Sequence, residues 1–570
     1  MKLITYILIS LTFLFVSCED FIDIEPEDKI GMNDYFKTSR DVENYVKKFY
    51  NEFPTHGSAS QPLQEINSDN LIVNSPDQVL NGSRTTRTGN WINEWSQIRS
   101  INILFDNLER VESTYSEYKH FVGEAYFFRA WFYFILLEQY GDLPIYKQQL
   151  FPEDKELLNA RVARDEVVRF ILEDLDNAIE NLNLISQTGN ATLNKETALA
   201  FKAQVALFEG TWQKYHQGTA FGTKETDPNY FLREAVTASE ELIYGDFPIE
   251  LYSTGNTDKD YYALFGMDNM SNVNEVLFHR IANSSENLGH ELQLYTIERT
   301  AQMGVTWSLV SSYLNKEGLP YDYKSVSSSY KGNDFLIKIA NDCDPRLKST
   351  IWIPGDLRVN NPNSIFNKPY IDRSGEEICP TGFQVKKFSN PYSTGAGQPY
   401  GGKSETGRIY FRIAEVLLIY AEAKYELDGV IAFEELNLLR DRVGLPKFRV
   451  IPQSEYGSNL INYGYEIDDA LYAIRNERRV ELALEGQRVN DYRRWAAHEL
   501  FQNKRPIGYP FKKSEFPDFG PDLTDDLKLD FFKKDLPNGY QFRPKQDYLR
   551  SIPKDELVLN PNLQQNPGWN

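Results

Sequence analysis

The chain is poor in the residues that build disulfide, metal and nucleotide sites. Three cysteines in 570 residues, at positions 18, 343 and 379, are too few and too far apart for a disulfide framework, and no two share metal-ligand spacing. The six histidines (His56, His120, His216, His279, His290 and His498) form no HExxH pair. A glycine-rich phosphate loop, an EF-hand and a GxSxG elbow are all missing, so no cofactor or metal is expected and catalysis has no named residue. Positive charge is also short. The 61 basic residues are outnumbered by 82 acidic ones, leaving −21, a balance that repels a phosphate backbone and argues against nucleic acid. Only one long apolar run exists, residues 3–16, and it falls short of the ~20 residues of a membrane-spanning helix.

That run has its own meaning. Lys2 precedes it, Phe15-Val16-Ser17-Cys18 closes it, and Glu19, Asp20 and Asp23 follow. A basic start, an apolar middle and a small residue before the cut predict a secretory signal over residues 1–17. The closing cysteine resembles a bacterial lipobox, in which Cys18 is lipidated and becomes the first residue of the mature protein. Several acyl chains hold a protein stably on a membrane where one alone binds marginally. Residues 18–38 then form a lipidated N-terminus and tether, with the remainder outside the cytoplasm.

What the chain has in quantity is aromatic residues: 8 Trp, 35 Tyr and 35 Phe, 14% in all. Many fall at helical spacing. Helices are predicted over 39–53, with Ser39 as cap, and over 95–111, 117–140, 164–182, 194–212 and 231–244. A long polar insertion at 54–93 separates the first two, and loops of that length are usually functional. The helix at 117–140 is apolar most of the way round, which requires neighbours on all sides. Ala200, Ala203 and Ala206 keep one face of the 194–212 helix small, so that another helix can approach. Antiparallel pairs of this kind resemble tetratricopeptide units. From 245 to 408 the pattern breaks into turns, with a short strand at 275–281. Helices resume at 412–427, 431–442 and 470–495, and the tail from 501 reads as loop. The expected fold is therefore predominantly α: tetratricopeptide-like pairs forming a superhelical scaffold over 39–250, then an irregular, loop-rich half over 251–570 with short strands and further helices.

Several segments match one family in order and spacing: 129–133 (RAWFY), 140–144 (YGDLP), 344–346 (DPR), 412–423 (RIAEVLLIYAEA), 437–445 (NLLRDRVGL), 477–488 (ERRVELALEGQR) with 491–495 (DYRRW), 548–553 (YLRSIP) and 560–568 (NPNLQQNPG). Together they resemble the SusD/RagB family of Bacteroidetes outer-membrane nutrient-uptake lipoproteins, from Cys18 almost to the end. The resemblance implies a cell-surface, lipid-anchored protein that is not an enzyme. Such a protein captures oligo- or polysaccharide and delivers it to a SusC-like TonB-dependent transporter. The same resemblance leaves a peptide-binding uptake protein as an alternative, and a surface glycan hydrolase as a third reading.

By position in the starch-binding members, it places sugar contact at Trp91 and Trp95 with Asn93 between them, and at Tyr295 and Trp307 in the irregular region. Asp69, in the insertion, is a candidate partner for sugar hydroxyls, because sugar C–H faces stack on indoles while hydroxyls need amides and carboxylates. Arg84 and Arg87 are read as solvated loop charges that could meet an acidic sugar. Glu477, Glu481 and Glu485, one turn apart among arginines, are read as helix ion pairs in a structural network that holds the repeats to the C-terminal half. Truncation of Cys18 to alanine is expected to release the protein from membranes without lowering its melting temperature, which fractionation and a melting curve check.

Overall fold

The computed structural model describes residues 35–87, 91–224, 226–398 and 400–569; Cys18, the leader and most of the tether lie outside them. The principal helices begin with α1 (Ser39–Lys47) and α2 (Ile92–Asn107), which pack on α3 (Tyr115–Tyr140). Then come α4 (Arg164–Asn181), α5 (Lys195–Tyr215) and α6 (Pro228–Tyr244), each packed against its predecessor. Local chemistry sets the ends. Thr38, not Ser39, caps α1 in a reciprocal box with Asp41, and the expected helix over 39–53 gives way after Lys47 to a 3₁₀ turn. Thr114 and Glu117 form the same box at the start of α3, which Gly141 ends at φ 73°. Asn194 caps α5 by accepting from the Thr197 amide at 2.8 Å. The close approach expected of α5 is found at Gly210, where a Cβ would lie 2.9 Å from Leu232 of α6.

After α6 the chain leaves the stack for some 170 residues. It returns through α7 (Ile413–Asp428), which packs directly on α6, with α8 (Phe433–Arg442) and α9 (Asp469–Glu481) against α7. Helix α10 (Arg488–Arg494) closes onto α5. The expected helix over 470–495 is thus two, broken where Leu484 and Gly486 take φ of 66° and 89°. Two antiparallel pairs tie the excursion down: β1 (Leu71–Ile72) on β3 (Gly304–Val305), and β2 (Val276–Arg280) on β4 (Arg408–Arg412). The strand expected over 275–281 is β2. The helical stack and the excursion each have a hydrophobic core.

Between the two cores lies an ionic one. Glu481 takes hydrogen bonds from Arg412 at 2.9 Å, Arg346 at 3.0 Å and Arg442, all four side chains buried. Glu275 pairs with Arg412 and Arg442, Glu477 with Arg346 and Arg440, and Glu485 with Arg412 and Lys387. The pairing therefore runs between segments rather than along one helix, and Glu485 lies beyond the end of α9. Burial alone would raise the Glu481 carboxyl, but Arg442, Arg412 and Arg346 outweigh it and hold it well below the usual range.

Glu477, Glu485 and Asp491 are depressed in the same way, against their own burial. Depressed carboxylates stabilise the fold above the unfolded value of about 4, and that stability is lost as pH falls through the folded values. The urea midpoint is expected to drop steeply below about pH 4. Glu481→Ala, which removes the carboxylate that three buried guanidiniums share, is expected to cost ~3–5 kcal/mol at neutral pH and to flatten the acid limb of the curve.

Candidate functional site

Four of the residues expected to hold a sugar, Asp69, Trp91, Trp95 and Trp307, fall into two cavities whose linings share no residue. The first, of about 260 Å³, forms where β1 meets β3. The strand pairing draws the insertion onto the excursion: the Thr306 amide donates to the Asn70 carbonyl at 2.9 Å, and the Thr306 hydroxyl to that of Asp69 at 2.5 Å. Thr306 also caps the short helix Trp307–Val310, setting the indole at the cavity wall. The Trp307 ring stacks on Phe335 (5.7 Å, 19°) and carries the Lys528 ammonium 4.4 Å over its centroid. A sugar using that face must displace Lys528.

Asp69 is in the same wall but is not free. Arg479 and Arg488 each reach its carboxylate at 2.8 Å, and it is buried. Burial would raise its pKa, yet the two guanidiniums win and hold it well below the ordinary range. It is thus a fixed anchor of the insertion on α9 and α10. The rest of the lining mixes Ser311, Asn459, Asn462, Lys504 and Arg505 with Leu460, Ile461 and Phe501. Arg505 is occupied by Asp530, and the Lys504 ammonium donates to the Glu499 carbonyl at 2.6 Å, its pKa lowered by burial. The amides come from 458–462, where Ser and Asn flank Leu and Ile in no recognisable motif, and sequence reasoning passed over them.

The second cavity, about 920 Å³, runs along α2 and contains Trp91 and Trp95. Sequence reasoning starts that helix at 95; it starts at Ile92, so Trp91 is its first flanking residue. Trp91 stands edge-on to Trp95 and Tyr140 with 7% of its surface exposed, and Trp95 edge-on to Tyr133 and Tyr146. Asn93 is exposed on the first turn and lines neither cavity. The walls here are mainly apolar, with Leu150, Leu157, Leu158, Leu559 and Leu563 beside the aromatics. Tyr295 lines neither cavity; it is buried in the core of the excursion. Arg84 is not a solvated loop charge, since it pairs with Asp547 and packs on Trp569; Arg87 is exposed and donates to the Tyr140 hydroxyl at 3.0 Å.

A polar cavity with one indole, hydroxyls and amides can accept a polyol. Its lining has a single carboxylate, and two guanidiniums keep that one ionised, so this wall lacks the acid-and-base carboxylate pair of glycoside hydrolysis.

Two family models match the chain. Residues 258–569 match the model of the SusD family, and residues 20–207 match a model described as "Starch-binding associating with outer membrane". Among curated relatives, SusD-like protein P2 of Formosa agariphila is 24% identical over 99% of both chains, and SusD-like protein P38 of the same organism 23% over 84% of this chain and 90% of its own. Solved structures share the fold. A SusD-like carbohydrate binding protein from Bacteroides fragilis is 21% identical with a TM-score of 0.70, over 93% of this chain and 100% of that one. A laminarin binding SusD-like protein is 18% identical with a TM-score of 0.56, over 94% and 100%.

Because Trp91 is packed edge-on among aromatics rather than free in a loop, Trp91→Ala is expected to cost about 3 kcal/mol. Chemical denaturation of that variant against the parent checks this.

Proposed function

The chain belongs to the SusD family, and on that premise we propose that it is a non-catalytic glycan-binding lipoprotein of the outer-membrane surface. In this reading Cys18 carries the lipid, and the captured oligosaccharide passes to a SusC-like TonB-dependent transporter. The observation that carries the reading is the cavity at Trp307, where an indole, the Ser311 hydroxyl and the Asn459 and Asn462 amides line one wall. Sugars need this combination: an aromatic face for C–H groups and neutral donors and acceptors for hydroxyls. The cavity lies below the ~300–1,000 Å³ of sites that enclose a whole drug-sized ligand. It therefore holds one unit or one end of a longer chain, whose remainder stays in solvent. The family's description and the carbohydrate-binding relatives support the ligand class and the outer-membrane setting.

Titration with a panel of neutral, uronic and sulfated oligosaccharides tests the reading. Trp307→Ala and Asn462→Ala are expected to weaken the best ligand at least tenfold while circular dichroism shows a folded chain; Trp91→Ala is expected to leave affinity unchanged. Equal affinity in all three variants would move the site elsewhere, and no binding across the panel would remove the glycan reading. Release of new reducing ends would instead favour the hydrolase. Purification from membranes with the anchor intact tests the transporter, which is expected to accompany the protein.

A further inference from the structure

The cavity along α2 is unlike the Trp307 cavity in one respect: it is an open apolar surface. Ile92 is 61% exposed and Leu559 71%, and Phe151, Leu157 and Leu158 on the same walls are exposed as well. Contiguous exposed apolar surface on a folded protein marks a docking site. The apolar walls fit leucine, isoleucine and phenylalanine side chains better than sugar hydroxyls.

The start of the described chain lies close by. Tyr35 packs against Tyr45 at 5.8 Å, the Tyr45 hydroxyl donates to the Ser100 carbonyl at 2.9 Å, and Arg99, the next residue of α2, lines the groove. Upstream, in the acidic tether, stand Phe21, Ile22 and Ile24, three large apolar residues within four. They precede Tyr35 by 11–14 residues, so the intervening chain can reach roughly 35–50 Å. Helix α2, with 16 residues, is only about 24 Å long. Residues 21–24 can therefore reach any part of the groove.

We infer that residues 21–24 of this same chain dock in the groove along α2, fastening the tether to the body. The contact is apolar. Arg99 and Lys155 line the groove, but Glu153 and Glu556 stand there too, so charge does not drive the docking. The inference is independent of the glycan reading, since the groove shares no lining residue with the Trp307 cavity.

Disulfide trapping in the full anchored chain tests it. Ile22→Cys combined with Leu559→Cys is expected to cross-link at least tenfold faster than Ile22→Cys combined with Leu438→Cys. Leu438 is an exposed residue of α8 that does not line the groove. The native Cys343 and Cys379 are buried and do not compete. Equal rates for the two pairs overturn the inference. A second measurement does not depend on cysteine chemistry. Replacing Phe21, Ile22 and Ile24 together by serine is expected to speed proteolysis within 150–158 several-fold and to shift the emission of Trp91 and Trp95. Unchanged proteolysis and emission, or protection in both forms by a co-purifying protein, show that another partner occupies the groove and overturn the assignment to the tether.

Discussion

The constraint on which the architecture depends is the shared burial of Glu481 with Arg346, Arg412 and Arg442. A charge taken out of water is costly unless paired and fully hydrogen-bonded, and here four segments distant in sequence must meet for the pairing to be complete. Arg412 ends β4 and flanks α7, Arg442 ends α8, Glu481 ends α9 and Arg346 comes from the excursion. A displacement of any one of them removes a buried partner from the others. Two hydrophobic cores packed on each other could slide; joined by this cluster they have one register. Asp69 extends the same logic outward, since its hold on Arg479 and Arg488 fixes the insertion and with it the wall of the Trp307 cavity.

Much of the fold was legible in the sequence because it rests on local signals. The 3.6-residue spacing of Phe128, Phe132 and their neighbours, the capping asparagine at 194 and the glycine at 141 each act within a few residues of chain. Short strand β2 was legible for the same reason. The misreadings came from non-local physics. Glu485 sits in helical spacing with Glu481, yet positive φ at Leu484 and Gly486 ends the helix between them so that long-range arginines can be met. Arg84 looks solvated in a polar loop until Asp547, more than four hundred residues away, is brought to it.

The candidate site was legible in kind and not in assembly. Trp91, Trp95, Tyr295 and Trp307 are all aromatic residues near irregular chain, and nothing in the sequence says which of them share a wall. The first two belong to the core of the helical stack and the last two to that of the excursion, and of the four Trp307 lines the cavity with Ser311, Asn459 and Asn462. Those polar groups come from 458–462 and 504–505, segments without any pattern of their own. Their role is decided by the turn that carries them, not by their residue types.

The direct packing of α7 on α6 has a consequence for how the chain reaches its fold. Helices adjacent in the stack are separated by some 170 residues of sequence, so this face of α6 has no such neighbour until α7 has been made. Contacts this distant carry a loop-closure entropy cost before they return any stabilisation, and they slow folding. Until then the first six helices have one apolar flank open, and assembly of the ionic cluster is the late step that shuts it.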